Sequence, residues 1–166
     1  KQHRQRPPRR VGLIDRLVTY WDEVSARRFR IEPVISDRVY TLPKKRAQYV
    51  SQPGNMIRDT LALASRPAPE GEKALVDGSR ADVVVVTFAG PGAESDIEKK
   101  SVGLPWSNAV EGPDFAKVGD KSISRGMVVG EDPFPPLAPF GVMAHEFGHV
   151  LGLPELYAPN KPHEGI

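Results

Sequence analysis

Residues 142–157 read Val142-Met143-Ala144-His145-Glu146-Phe147-Gly148-His149-Val150-Leu151-Gly152-Leu153-Pro154-Glu155-Leu156-Tyr157. His145 and His149 are four positions apart, so on a helix they lie one turn apart on the same face. Two neutral imidazoles at that spacing can bind one zinc ion, and Glu146 can reach a water molecule on that ion as a general base. The surrounding apolar residues predict a largely buried helix, in which polar side chains need partners that a metal supplies.

The residues after the second histidine narrow the class of metal site. Gly152 can end the helix in a left-handed conformation, so that the chain turns back toward the metal. Glu155 follows His145 by ten residues, which is the position of the third ligand in the pattern His-Glu-x-x-His-x-x-Gly-x-x-His. A carboxylate oxygen is a good zinc ligand. We therefore expect Glu155 to be the third ligand, with Glu164, His163 or a residue outside this chain as alternatives.

The segment Gly141–Tyr157 resembles the zinc-helix segment of the immune inhibitor A family of bacterial secreted metallopeptidases. Members of that family read Gly-Leu-Pro-Asp-x-Tyr after the second histidine, and this chain has Glu155 in place of the aspartate. Four upstream segments also fit the family: Tyr20–Ser25, Arg28–Ile31, Tyr40–Pro43 and Ala89–Gly92. The resemblance implies a secreted or extracellular peptidase, although no signal peptide is visible in this chain.

Length and composition bound the remaining possibilities. The 166 residues suit one domain, and 39% hydrophobic with 27% charged residues is typical of a globular protein. No apolar run approaches twenty residues, so we expect no membrane span. The chain has no cysteine, which excludes disulfides and limits any metal site to His, Asp, Glu and water.

The basic residues are unevenly distributed. The first ten residues carry five basic side chains and no acidic one, although the net charge of the whole chain is only +2. We interpret residues 1–10 as a basic, disordered arm, and residues 11–166 as the N-terminal, upper part of a metallopeptidase catalytic domain. Nucleic-acid binding through the arm is a less favoured hypothesis, because no aromatic residues for base stacking are interleaved with the charges.

Hydrophobic periodicity predicts an α/β (α+β) order of elements. The predicted elements are a helix over Gly12–Arg28, strands over Phe29–Glu32 and Arg38–Leu42, a helix over Asn55–Ser65 capped by Asn55, a central strand over Ala81–Ala89 covered on both faces, an edge strand at Met127–Val129 or just before it, and the motif helix from Phe140 or Gly141. This order is compatible with the upper subdomain of a zincin, in which a mixed sheet packs on helices above the cleft. The motif helix stands at the C-terminal end.

These observations predict a zinc-dependent endopeptidase with one catalytic Zn²⁺ and a protein or peptide substrate. Glu146 would take a proton from water and pass it to the leaving nitrogen. Tyr157 would stabilise the oxyanion or pack beside the helix. The methionine turn of metzincin folds is missing from these residues, so a remaining C-terminal segment of the same protein is an expected partner. The alternative is a non-catalytic zinc-binding structural or interaction domain derived from a metallopeptidase.

Overall fold

The structure is a computed structural model that describes residues 8–36, 38–66, 81–95, 103–118, 120–131 and 139–155. Its helices and strands are, in chain order, α1 (Pro8–Val24), α2 (Pro53–Ala64), β1 (Val84–Phe88), β2 (Asn108–Val118), β3 (Lys121–Gly130) and α3 (Pro139–Val150). Two short 3₁₀ turns lie at Arg46–Tyr49 and Ala93–Ser95. The predicted α/β class is confirmed, because one mixed sheet packs against helices.

Strand β3 lies in the middle of the described sheet. It pairs in parallel with β1 and antiparallel with β2, so the strand order is β1-β3-β2. In this register Val128 lies between Val86 of β1 and Asn108 of β2, and Met127 pairs with Ala109. The pairing places β2 at one edge of the described sheet.

Each face of the sheet has its own apolar cluster. On one face, Ile57 of α2 packs with Tyr49 and Val128, all 1% exposed or less. On the other face, Leu17 of α1 and Phe147 of α3 pack with residues of β3. Strand residues alternate between faces, so neighbouring β3 residues contribute to different clusters. The second cluster, shared by α1, α3 and β3, fixes the helix that carries the His-Glu-x-x-His motif.

Two strand assignments from the sequence are corrected by the topology. The apolar run in Ala81–Ala89 forms β1, and its residues do contact the clusters on both faces, but in the described sheet β1 is an edge strand. Met127–Val129 belongs to β3, which is central rather than an edge. The alternative prediction placed an edge strand just before Met127; the strand that precedes β3 is β2, an edge strand of the described sheet that ends at Val118 and whose range the sequence did not predict. A continuous apolar run indicates that a strand is buried on both faces of its sheet. It does not indicate which strands pair with that strand, or whether the strand is central.

The two earlier predicted strands do not belong to the described sheet. Residues 29–32 and 38–42 have no strand assignment. Phe29 and Ile31 nevertheless pack on the α1–α3 cluster, as their alternation with exposed Arg30 predicts. Alternation therefore identified the half-buried side chains that pack on the cluster, whereas strand pairing also needs a partner edge in register.

The two helices predicted upstream of the motif helix are confirmed with changed ends. Helix α1 begins at Pro8, inside the segment interpreted as an arm, and residues 1–7 lie outside the described residues. Helix α2 begins at Pro53 with Gln52 at the capping position, so the prediction of Asn55 as the cap is wrong. Proline is favoured in the first helical turn, where its missing N–H costs no hydrogen bond. No described helix is long and apolar enough to cross a membrane.

Candidate metal centre

Helix α3 carries the motif with one apolar face and one polar face. Met143, Phe147 and Val150 are buried, with exposures of 5% or less, and they follow the spacing of one helical face. His145 and His149 share another face, which lines a cleft. Trp21 of α1 contacts the Phe147 ring at a centroid distance of 5.9 Å. Packing against α1 and the sheet therefore fixes the rotation of α3 and directs both histidines to the cleft.

The end of α3 is set by Gly152. Its φ is +90°, in the left-handed region that glycine adopts without strain. The Gly152 N–H donates to the His149 carbonyl at 2.8 Å, and the Leu153 N–H donates to the Gly148 carbonyl at 3.0 Å. This pair of hydrogen bonds is the Schellman arrangement, and it confirms the predicted helix end. The chain turns back beneath the histidines, which is how Glu155 reaches them.

Three candidate ligand atoms converge beside α3. His145, His149 and Glu155 offer ligand atoms that all lie within 4.8 Å of one another. The two Nε2 atoms are 3.1 Å apart, and the Glu155 oxygens lie 3.1 Å from His149 Nε2 and 3.7 Å from His145 Nε2. Ligands of tetrahedral zinc, bound at about 2.0–2.2 Å, are separated by roughly 3.3–3.5 Å. The spacing of the two imidazole nitrogens and of the carboxylate, whose two oxygens each approach one of them, therefore suits a zinc ion.

The proton positions on His149 also favour a cation at this point. His149 Nδ1 lies 2.8 Å from the Leu153 carbonyl oxygen, and because a carbonyl only accepts, Nδ1 carries the hydrogen. In the neutral ring, Nε2 then presents a lone pair toward the Glu155 carboxylate, which is also an acceptor. Two acceptors that face each other at 3.1 Å repel, and a proton or a metal ion between them removes that repulsion. A backbone carbonyl that orients a ligand histidine in this way is typical of zinc sites.

Glu146 reaches across the cleft to the sheet. Its Oε2 accepts a hydrogen bond of 2.7 Å from the backbone N–H of Ala109 in β2. Burial raises the pKa of the Glu146 carboxyl above its ordinary value, and the Ala109 hydrogen bond and the two histidines oppose that rise. The negative charge of Glu94 also raises the pKa. A half-buried carboxylate with a raised pKa, held beside candidate metal ligands, is suited to accept a proton.

The cleft has a volume of about 760 Å³. Residues 108–111 of β2 form one wall, and α3 with the turn after it forms the other. Trp106 and Leu153 also line the cleft, and both are more than half exposed. The described part of the cleft is thus an open groove with an edge strand along one side, apolar residues at its margin and carboxylates inside.

The structure brings together four of the residues predicted for the site: His145, Glu146, His149 and Glu155. The remaining candidates, Tyr157, His163 and Glu164, lie outside the described residues. Glu155 is therefore the described residue at the third-ligand position.

Sequence reasoning missed two residues of the cleft, Glu94 and Ser107. Ser107 donates from its N–H and its hydroxyl to the two oxygens of Glu94, at 3.0 and 2.5 Å. Both residues lie in a stretch rich in glycine and proline, between Ala89 and Met127, for which the sequence pattern predicts no helix. No local motif marks them, because thirteen residues separate them and only the fold joins them.

Comparisons of the chain with protein-family models, with curated proteins and with solved structures find no match.

Proposed function

We propose that this chain is a zinc-dependent endopeptidase domain in which His145, His149 and Glu155 hold one Zn²⁺ and Glu146 is the general base. One observation carries the proposal: three ligand atoms at zinc-like separations lie in the same cleft as a carboxylate with a raised pKa. We also propose membership of the immune inhibitor A-type metallopeptidases, on the resemblance of residues 141–157. The zincin-like identity of the fold belongs to the same proposal.

Each residue has a separate part in the proposed reaction. A bound zinc ion supplies Lewis-acid activation of water and of the peptide carbonyl. Glu146 takes one proton from the water and returns it to the nitrogen of the cleaved bond. Ala109 donates its N–H to Glu146, which fixes one carboxylate oxygen and leaves the other to exchange the proton. His149 is held in the correct tautomer by the Leu153 carbonyl.

The proposed substrate is an extended segment of a protein or peptide. Strand β2 is an edge strand of the described sheet and borders the cleft, so its outer backbone groups other than the Ala109 N–H, which Glu146 occupies, can pair with an added strand. Such pairing recognises backbone rather than sequence, which suits an endopeptidase acting on unfolded segments. Action outside the cell, and completion of the cleft by a C-terminal segment of the same protein, are further parts of the proposal that the family resemblance supports.

The test combines metal analysis with a cleavage assay on the purified chain. We expect one zinc per chain and cleavage of a mixed fluorogenic peptide set, with chelation removing both. Glu146→Ala should keep the zinc and lower cleavage by at least about a hundredfold. The matched control is Glu23→Ala on the exposed side of α1, which should change neither the zinc content nor the rate of cleavage.

The possible outcomes separate the two functions that the sequence left open. Zinc binding without cleavage by the wild-type chain would contradict the peptidase assignment and would fit a non-catalytic zinc-binding domain. Undiminished cleavage by Glu146→Ala would reject Glu146 as the base. A chain that binds no zinc at any ratio would reject the metal centre itself.

A further inference from the structure

Glu94 and Ser107 are joined at the point where β2 begins. Glu94 belongs to the 3₁₀ turn after β1, and Ser107 immediately precedes Asn108, the first residue of β2. The Ser107 N–H donates to Glu94 Oε2 and the Ser107 hydroxyl donates to Glu94 Oε1. One carboxylate thus accepts both donors of one residue, and this bidentate arrangement fixes orientation as well as distance.

The Ser107 hydroxyl also connects to β3. Its oxygen accepts a hydrogen bond of 3.2 Å from the Gly130 N–H, which is buried. Ser107 itself is only 5% exposed. A buried hydroxyl that both accepts and donates has a fixed rotamer, because any rotation would leave a buried polar group unpaired. The end of β3, the turn after β1 and the start of β2 therefore meet at this side chain.

The turn that carries Glu94 is tightly packed against β3. A Cβ atom added to Gly130 would lie 2.6 Å from the Gly92 nitrogen, and one added to Gly92 would overlap the Glu94 carboxylate. The Ala93 N–H donates to the Pro105 carbonyl at 2.8 Å. Glu94 is thus held in a rigid turn, and the carboxylate is a fixed anchor for the segment that follows Pro105.

Ala109 stands two residues beyond Ser107, and its N–H donates out of the sheet to Glu146. We propose that Glu94, acting through Ser107, is a positioning residue that sets the start of β2 so that the Ala109 N–H holds the Glu146 carboxylate in the cleft. Glu94 is assigned this positioning role because both of its oxygens accept hydrogen bonds from Ser107. The catalytic consequence rests on the proposed function, whereas the positioning of Ala109 does not.

Glu94→Gln is the direct test, because the amide keeps the volume of the carboxylate but has only one acceptor oxygen. We expect hydrogen exchange of the Ala109 amide, followed by NMR, to become about tenfold faster, with the Val128 amide of β3 unchanged. We also expect kcat for peptide cleavage to fall about tenfold, with KM and zinc content unchanged. Ser107→Ala, which keeps its N–H but loses the hydroxyl, should give the same pattern.

Asp82→Asn is the matched control, because it changes an exposed carboxylate that pairs with Lys121 at 2.8 Å, away from the cleft. It should leave Ala109 exchange and kcat within about twofold of wild type. The proposal is overturned if Glu94→Gln or Ser107→Ala is folded by circular dichroism and yet keeps wild-type exchange at Ala109. A lower melting temperature with unchanged Ala109 exchange would likewise assign Glu94 a purely structural role. If the wild-type chain cleaves no peptide, the proposed function fails, and the exchange measurement still decides the positioning.

Discussion

His149 Nδ1 donates to the carbonyl oxygen of Leu153 at 2.8 Å, so the turn that ends α3 also sets the tautomer of a candidate zinc ligand. The same turn sends the chain back to Glu155. One local backbone conformation, the left-handed Gly152, therefore controls the hydrogen bond behind one ligand and the position of another. The end of α3 and the candidate metal site therefore form one structural unit.

Gly152→Ala should weaken zinc binding together with stability. A φ of +90° is strained for alanine, with a cost on the order of 1–2 kcal/mol. Relief of that strain would move Leu153 and Glu155, so we expect zinc affinity to fall by at least about tenfold in competition with a chromogenic chelator. Gly12→Ala in α1, where an added Cβ meets nothing within 4 Å, is the control and should leave zinc affinity unchanged. Unaltered zinc binding in a folded Gly152→Ala variant would contradict the coupling.

Glu155→Gln should reduce zinc affinity by roughly a hundredfold or more, because a neutral amide replaces the charged ligand. Isothermal titration of the metal-free chain with zinc measures the change. His163→Ala and Glu164→Gln are the informative comparisons, since the sequence left both as alternative third ligands. If Glu155→Gln kept full zinc affinity and either His163→Ala or Glu164→Gln lost it, the residue changed in that variant would be the third ligand instead of Glu155.

Gly148→Ala should stabilise the protein by about 0.5–1 kcal/mol, because glycine inside a helix is disfavoured relative to alanine. An added Cβ would lie 3.6 Å from Leu153 Cδ1 and 3.8 Å from the Trp21 ring, which are ordinary packing distances. Urea denaturation compares the free energies of unfolding of the metal-free proteins. Destabilisation would show that α3 and α1 pack more closely than the structure indicates.

Stability should depend on pH through Asp59. The hydrogen bond from the Tyr49 hydroxyl, at 2.8 Å, and the nearby Lys44 lower the pKa of Asp59 below its ordinary value of 3.8. Ionised Asp59 therefore stabilises the folded state above that ordinary value, and the contribution is lost as the pH falls through the lowered pKa. Asp59→Asn should lower the free energy of unfolding at neutral pH and flatten its decline between about pH 5 and pH 3. An equal decline in wild type and Asp59→Asn, with the exposed Asp15→Asn as control, would contradict this.

The sequence predicted those helices and strands that a pattern of neighbouring apolar residues marks. Apolar spacing located α1, α2, β1 and α3, and the motif with Gly152 predicted three side chains that the structure places close together, those of His145, His149 and Glu155. Strand β2 was missed because Gly112 and Pro113 interrupt it, in the region where its register with β3 shifts between Glu111 and Ala116. Gly119-Asp120, between Val118 and Lys121, is a pair typical of a two-residue hairpin loop and could have indicated it.

Long-range pairing explains the other differences. Alternation in Phe29–Glu32 predicted which side chains pack half-buried against the α1–α3 cluster, but no local pattern indicates whether a strand finds a partner. The contacts from Ala109 to Glu146 and from Glu94 to Ser107 depend on register, across 37 and 13 residues of chain. Such contacts form only when the strands of the sheet have paired, so the pattern of a single segment does not predict them.

Because each face of the sheet has a separate apolar cluster, the two faces differ in how well they tolerate substitutions. Residues beneath α2, such as Ile57, contribute to overall stability but share no contact surface with α3 in the described clusters. We therefore expect that residues of the cluster beneath α2 can be substituted, for example to raise thermal stability, without a change in the geometry around the histidines. Substitutions at Leu17 or Phe147 have no such freedom, since the cluster that these side chains form with β3 also fixes the rotation of α3 and so directs its two histidines toward the cleft.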